Sequence, residues 1–176
     1  MLNSAFELAE HRKLREVTYS VSNKLWEKFA LANTELDISF KNWTSIKYLN
    51  DEANDFNQDV ASIPNDKGGL YLFYAKCPII PGITEFPFYI GRAQLTPNQN
   101  LRKRIKEYFL QYRREEDRPK ITRMLRYWGE DLFVAYLIVD SNQDIITSES
   151  LLINSLLLPM NDQIPDKEIR DGVKAF

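Results

Sequence analysis

The chain has 176 residues, 44% of them hydrophobic and 12% aromatic, a formal net charge of −2 and a single cysteine, Cys77. This length and apolar content support one globular core and exclude a disordered chain, while the lone cysteine excludes an internal disulfide framework or thiolate metal cluster and fits a reducing, cytoplasmic setting. The charge is unevenly placed: residues 92–126 carry 11 Lys and Arg against 4 Asp and Glu, a local balance of +7 in an otherwise acidic chain. Such a window is either the footprint of a phosphate-bearing partner or a solvated helix face. The longest apolar run, residues 151–160, is interrupted by Asn154 and Ser155 and is shorter than the roughly 20 residues of a membrane span. Charges begin at Glu7 with no apolar segment of a secretory signal before them, so a soluble intracellular protein without membrane contact is expected.

In chain order, the first elements have helical spacing. Phe6, Leu8 and Ala9, then Val21, Leu25 and Phe29, recur at near-helical intervals, with Ser4 and Ser22 as N-caps, and the stretch FKNWTSIKYLNDEANDF at residues 40–56 is expected to add another helix. The breaker cluster SIPNDKGG, residues 62–69, divides a helical N-terminal extension (1–66) from the main domain (67–176). Beyond it the aromatic and β-branched runs GLYLFYA (69–75) and FPFYIGR (86–92) predict two strands of a long-looped hairpin, and LFVAYLIVD (132–140) predicts a third. Helices are predicted at about residues 100–113 and 120–127, and another starting near Ser148. The order β-β-α-α-β-α implies an α+β fold: a small three-stranded mixed or antiparallel sheet flanked by helices.

Two places on this scaffold carry chemistry. On the helix NLRKRIKEYFLQY, Leu101, Ile105, Phe109 and Tyr112 form the apolar stripe, and Arg104 and Tyr108, four apart, are expected along its edge with their tips past the sheet's rim. Asn100 caps the start, where free N–H groups favour an anion. In TSESLLINSLLLPMND, Glu149 is expected in the first turn, sharing a face with Leu152, Ile153 and Leu156. A carboxylate there needs a divalent cation, an arginine or the helix dipole to offset its burial.

GLY at 69–71 and YIG at 89–91 resemble the two signature triplets of the GIY-YIG nuclease superfamily, and YIGRA followed by NLRKRIKEYF is similar to the branch that makes incisions in nucleotide-excision repair. Glu149 and, twelve residues on, Asn161 stand where that family has its metal-binding glutamate and an asparagine. The resemblance covers residues 68–162 and departs from the family at Leu70, in the long connection between Tyr71 and Tyr89, and in QLTPNQ after the second triplet.

The resemblance implies a metal-dependent endonuclease acting on DNA, with RNA not excluded, in repair or in restriction and defence. Its implied catalytic set is Tyr71, Tyr89, Arg92, Arg104, Tyr108, Glu149 and Asn161. Glu149 would hold one Mg2+ or Mn2+, Arg104 would contact the scissile phosphate, and Tyr71 or Tyr89 would act as general base or position water, helped by Arg92. Arg102, Lys103, Lys106, Arg113, Arg114, Lys120 and Arg123 would extend the nucleic-acid-binding face, with Arg118 and Arg126 beside them. A homodimer pairing two sites would cut both strands, and a single site would nick. Each residue alone also has an ordinary reading: core tyrosines, a strand-ending Gly91, a turn at Asn161. A nucleic-acid-binding module of the same fold without catalysis is the alternative. His11 is the single histidine, and no P-loop or dinucleotide signature occurs.

Overall fold

The computed structural model describes residues 4–30, 36–116 and 118–175. In chain order its elements are helices α1 (Ala5–Arg15) and α2 (Asn23–Ala30), strands β1 (Thr44–Lys47), β2 (Gly69–Lys76) and β3 (Glu85–Ala93), and helices α3 (Leu101–Arg113) and α4 (Pro119–Trp128). Strand β4 (Leu132–Ile138) and helices α5 (Asn142–Leu156) and α6 (Lys167–Ala175) follow. Ser4 caps α1 by accepting from Glu7 N–H, and α2 begins after Ser22. The end of that second predicted helix, residues 31–33, lies outside the described residues. No described helix is long and apolar enough to cross a membrane.

The sheet is antiparallel throughout and has four strands in the order β1-β4-β2-β3, one more than expected. The additional strand comes from the stretch predicted as a helix over residues 40–56. Trp43, Ile46 and Leu49 recur every three residues and imitate a helix, but Trp43 and Ile46 pack on opposite sides of the sheet, as strand alternation requires. Only Phe40–Asn42 is helical there, as one 3₁₀ turn. A second 3₁₀ turn, Gln58–Ser62, places Val60 in the core, so side chains from residues 48–63 complete the core of the sheet that follows them.

The sheet is covered on both faces. Tyr71 and Phe73 of β2 join Leu101, Ile105, Tyr108 and Phe109 of α3 and Ile121, Met124 and Leu125 of α4 in the larger core. Leu70 and Ile90 point the other way, onto Ile145 and Ile153 of α5, and α2 lies against α5. Burial on both faces explains why β2 reads as a nearly continuous apolar run. The last two helices differ from expectation. α5 starts at Asn142, capped by Ser141 Oγ accepting from Asp144 N–H, so Glu149 sits mid-helix rather than in a first turn. α6 was not anticipated.

Tyr48, fully buried, ties the segment after β1 to α3: its hydroxyl donates to the Ile105 carbonyl at 2.7 Å and accepts from Phe109 N–H at 3.3 Å. Tyr48→Phe keeps the ring and leaves that carbonyl without its extra donor. We expect a loss of about 1–2 kcal/mol, read as a lower urea midpoint at unchanged m-value.

Candidate active site

Register decides which side chains meet. Tyr71 stands opposite Gly91 and Leu70 opposite Arg92, so Tyr71, Tyr89 and Gly91 face α3, and Arg92 faces α5. Gly91 lies inside β3 rather than at its end, and the Tyr71 ring lies across it. A Cβ at position 91 would stand 2.5 Å from Tyr71 Oη and 2.7 Å from Cζ, closer than any real contact. Glycine here provides the space for a tyrosine.

That ring continues into a line of hydroxyls. Tyr108 is fully buried, not at the rim as expected, because α3 turns its Tyr108 and Phe109 side by side into the core. Its Oη lies 2.6 Å from Tyr71 Oη and donates to Tyr89 Oη at 3.1 Å. With the Tyr108 proton directed to Tyr89, the Tyr71 proton is directed to Tyr108. Arg104 donates to Glu107 at 2.9 Å, and its charge lies beside the Tyr71 and Tyr108 hydroxyls. Donation therefore runs from Tyr71 through Tyr108 to Tyr89, whose own proton is left for a further acceptor. The Arg104 and Arg118 guanidinium carbons also lie 5.4 and 5.1 Å from the Tyr108 ring centre.

Burial, then Tyr108 and Tyr89, pushes the Tyr71 phenol well above its ordinary range, with Arg104 opposing. Burial likewise raises Tyr89, followed by Tyr108, with Arg118 opposing. The cations beside the two hydroxyls are thus Arg104 and Arg118, not the expected Arg92. Burial opposes the charge of Arg104 too, but Tyr108, Tyr71 and Glu107 keep it protonated.

Arg92 instead pairs with Glu149: its guanidinium donates to Glu149 Oε2 at 2.5 Å. The Glu149 side chain is 15% exposed. Burial raises its pKa, with Arg92 and then Arg104 opposing. Both groups open onto one cleft of about 1230 Å³ at the edge strand β3, lined by Tyr71, Tyr89, Arg92, Arg104, Arg118 and Glu149 among others.

The remaining predicted residues separate by place. Asn161 lines the cleft, but its amide Oδ1 accepts from Ile90 N–H at 3.0 Å and its Nδ2 donates to the Ile90 carbonyl at 2.8 Å, satisfying the free edge of β3. Lys120 lies beside it, 2.9 Å from Asp162. Arg102, Lys103, Lys106 and Arg114 line a separate depression outside the cleft. Within it Arg102 donates to the Ile63 carbonyl, Lys103 to the Asn98 carbonyl, and Lys106 stacks on Phe56. Arg123 donates to the carbonyls of Leu14 and Glu16 and anchors the chain after α1. Arg113 and Arg126 are exposed. Sequence reasoning passed over Arg170 and Lys174, which line the cleft from α6. Their signal was the pair of cations four apart after the helix-starting PDKE.

The chain matches no family model, no curated protein and no solved structure. Among the described residues no group of three or more His, Cys, Asp or Glu gathers to hold a metal ion. A cation in the cleft would have Glu149 as its one deeply set carboxylate. That donor set fits Mg2+ or Mn2+, which keep most of their waters, and does not fit a closed Zn2+ site.

Two outcomes test this geometry. Gly91→Ala should displace the Tyr71 ring and cost about 1–3 kcal/mol, seen as a lower urea midpoint, whereas Gly172→Ala, with open space around it, should not. The buried phenols give a pH dependence. Below about pH 10 both states hold their phenolic protons; above it the unfolded chain releases protons that Tyr71 and Tyr89 retain. Stability should therefore fall as pH rises past 10. Absorbance at 295 nm should show part of the tyrosine signal appearing only together with loss of the circular dichroism signal.

Proposed function

We propose that this protein is a metal-dependent endonuclease of the GIY-YIG type that hydrolyses phosphodiester bonds in DNA. The observation that carries the reading is the convergence, on one cleft, of Arg104, Arg118, a three-hydroxyl tyrosine chain and the Arg92–Glu149 pair, contributed by segments spread from β2 to α5.

Hydrolysis needs a water that loses a proton, a pentavalent phosphorus whose added charge is stabilised, and a leaving oxygen that is neutralised. Glu149 would hold the Mg2+ or Mn2+, which when bound supplies charge stabilisation at phosphate oxygens. Arg104 is held over the Tyr108 ring and toward Glu107, so its planar guanidinium is oriented before substrate arrives and loses little freedom on binding phosphate. Tyr89 closes the hydroxyl chain, and its free proton makes it the tyrosine that orients water or a phosphate oxygen, with Arg118 beside it. Tyr71 acts as a positioning residue through Tyr108. Arg92 neutralises Glu149 when no substrate is present and is the nearest cation that can turn toward a phosphate. Asn161 keeps the edge of β3 in place and thereby the positions of Tyr89 and Arg92.

The test is supercoiled plasmid incubated with Mg2+, with Mn2+ and with chelator. Wild type should nick or linearise it only with metal, and Glu149→Ala and Arg104→Ala should each lower the rate by roughly 10²-fold or more. Arg92, partly exposed, reaches solvent when Glu149 is removed, so Glu149→Ala should fold. Metal-independent DNA binding without cleavage, equal in wild type and Glu149→Ala, would replace this reading with a non-catalytic DNA-binding module.

A further inference from the structure

α6 forms part of the wall of the cleft that Tyr71 and Tyr89 also line. It is held at its start: Asp166 N–H donates to the buried Asn154 Oδ1 at 3.1 Å, and Asp166 Oδ1 accepts from Ile169 N–H at 3.1 Å. Arg170 and Lys174, one helical turn apart and so on one side of α6, both line the cleft. Arg170 is half-buried and directed by one bond from its Nη1 to the Ile164 carbonyl, 3.2 Å long, and Lys174 is exposed.

The charges of this cleft are unbalanced in a specific way. Its carboxylates already have cations, Glu149 with Arg92 and Asp162 with Lys120. Among the described residues no carboxylate pairs with Arg118, Arg170 or Lys174. Gathering unpaired cations in a concave site with Arg104 costs self-repulsion, which a polyanion lying through the site relieves.

The geometry assigns Arg170 and Lys174 to the phosphate backbone of the bound DNA strand: they contact phosphates flanking the one held at Arg104, and α6 sets the direction in which the strand leaves the cleft. This rests on the nuclease reading and extends it to residues outside the resemblance.

The experiment is binding of a fluorescein-labelled duplex DNA by the full chain in chelator, so that cleavage plays no part, at several salt concentrations. The proteins are wild type, Arg170→Gln/Lys174→Gln, and Lys24→Gln/Lys41→Gln, which removes two exposed cations outside the cleft. The α6 variant should bind several-fold more weakly, and its slope of log affinity against log salt should be shallower by roughly 1.8, the loss expected for two phosphate contacts on duplex DNA. The control variant should keep the wild-type slope. Equal slopes in wild type and the α6 variant, or an equal loss in the control, would overturn the assignment while leaving the nuclease reading in place. Absence of any DNA binding by wild type would remove both.

Discussion

The contact between the Tyr71 ring and the bare backbone of Gly91 is the constraint on which the site depends. With any side chain at position 91, the ring could not lie across β3. The Tyr71 hydroxyl would then lose its reach to Tyr108, and with it the link from the central strand β2 to α3. Because the ring does lie there, one buried hydroxyl partners the next, and three phenols are accommodated in a core that would otherwise penalise each of them. Arg104 is oriented beside these phenols, over the Tyr108 ring and toward Glu107.

Strand alternation then divides the chemistry. Tyr71 and Tyr89 project toward α3 while Arg92, one residue past Gly91, projects toward Glu149 on α5. The two sets can share a cleft because β3 is the sheet's edge, where both faces open to the same space. An edge strand exposes unpaired backbone groups, and here the Asn161 amide bonds both the N–H and the carbonyl of Ile90 in place of a further strand. The side chain that protects the edge is therefore also part of the cleft's wall.

Sequence pattern revealed the elements whose residues behave alike along their length. β2, β3 and β4 are dense in aromatic and β-branched residues, and α3 has a regular stripe behind an Asn cap, so each was placed within a few residues. β1 escaped notice because four residues give too short an alternation to outweigh a helix-like spacing that carries on through Leu49. The start of α5 is not legible in the pattern because Ser141 caps it ten residues before the dense apolar run at Leu151, which places Glu149 in the helix interior instead of at a helix end and makes Arg92 its chief compensation. Its spacing from Arg104 points Tyr108 toward a rim, whereas the structure buries it fully. Spacing along one helix fixes which residues are neighbours, but how deep a helix face lies depends on the sheet and on the segment carrying Tyr48, which pack against it from distant parts of the chain.

The basic window shows why a charge count and a charge's role are different things. Of its cations, Arg102 and Arg123 donate to backbone carbonyls of Ile63, Leu14 and Glu16, and so attach the N-terminal third of the chain to α3 and α4. These carbonyls belong to the last turn of α1 or to irregular segments, where no intrahelical or ladder donor satisfies them, and a long cationic donor reaches them where a neutral side chain would fall short. Arg118 is directed instead by the Tyr108 ring, which orients a guanidinium without neutralising it, while Arg104 shares that ring but is also paired with Glu107. A cation held by aromatic rings keeps its charge available to an incoming anion, and one paired with a carboxylate does not. By that criterion the positive charge most available for binding lies at Arg118 and continues on α6, which is outside the basic window altogether.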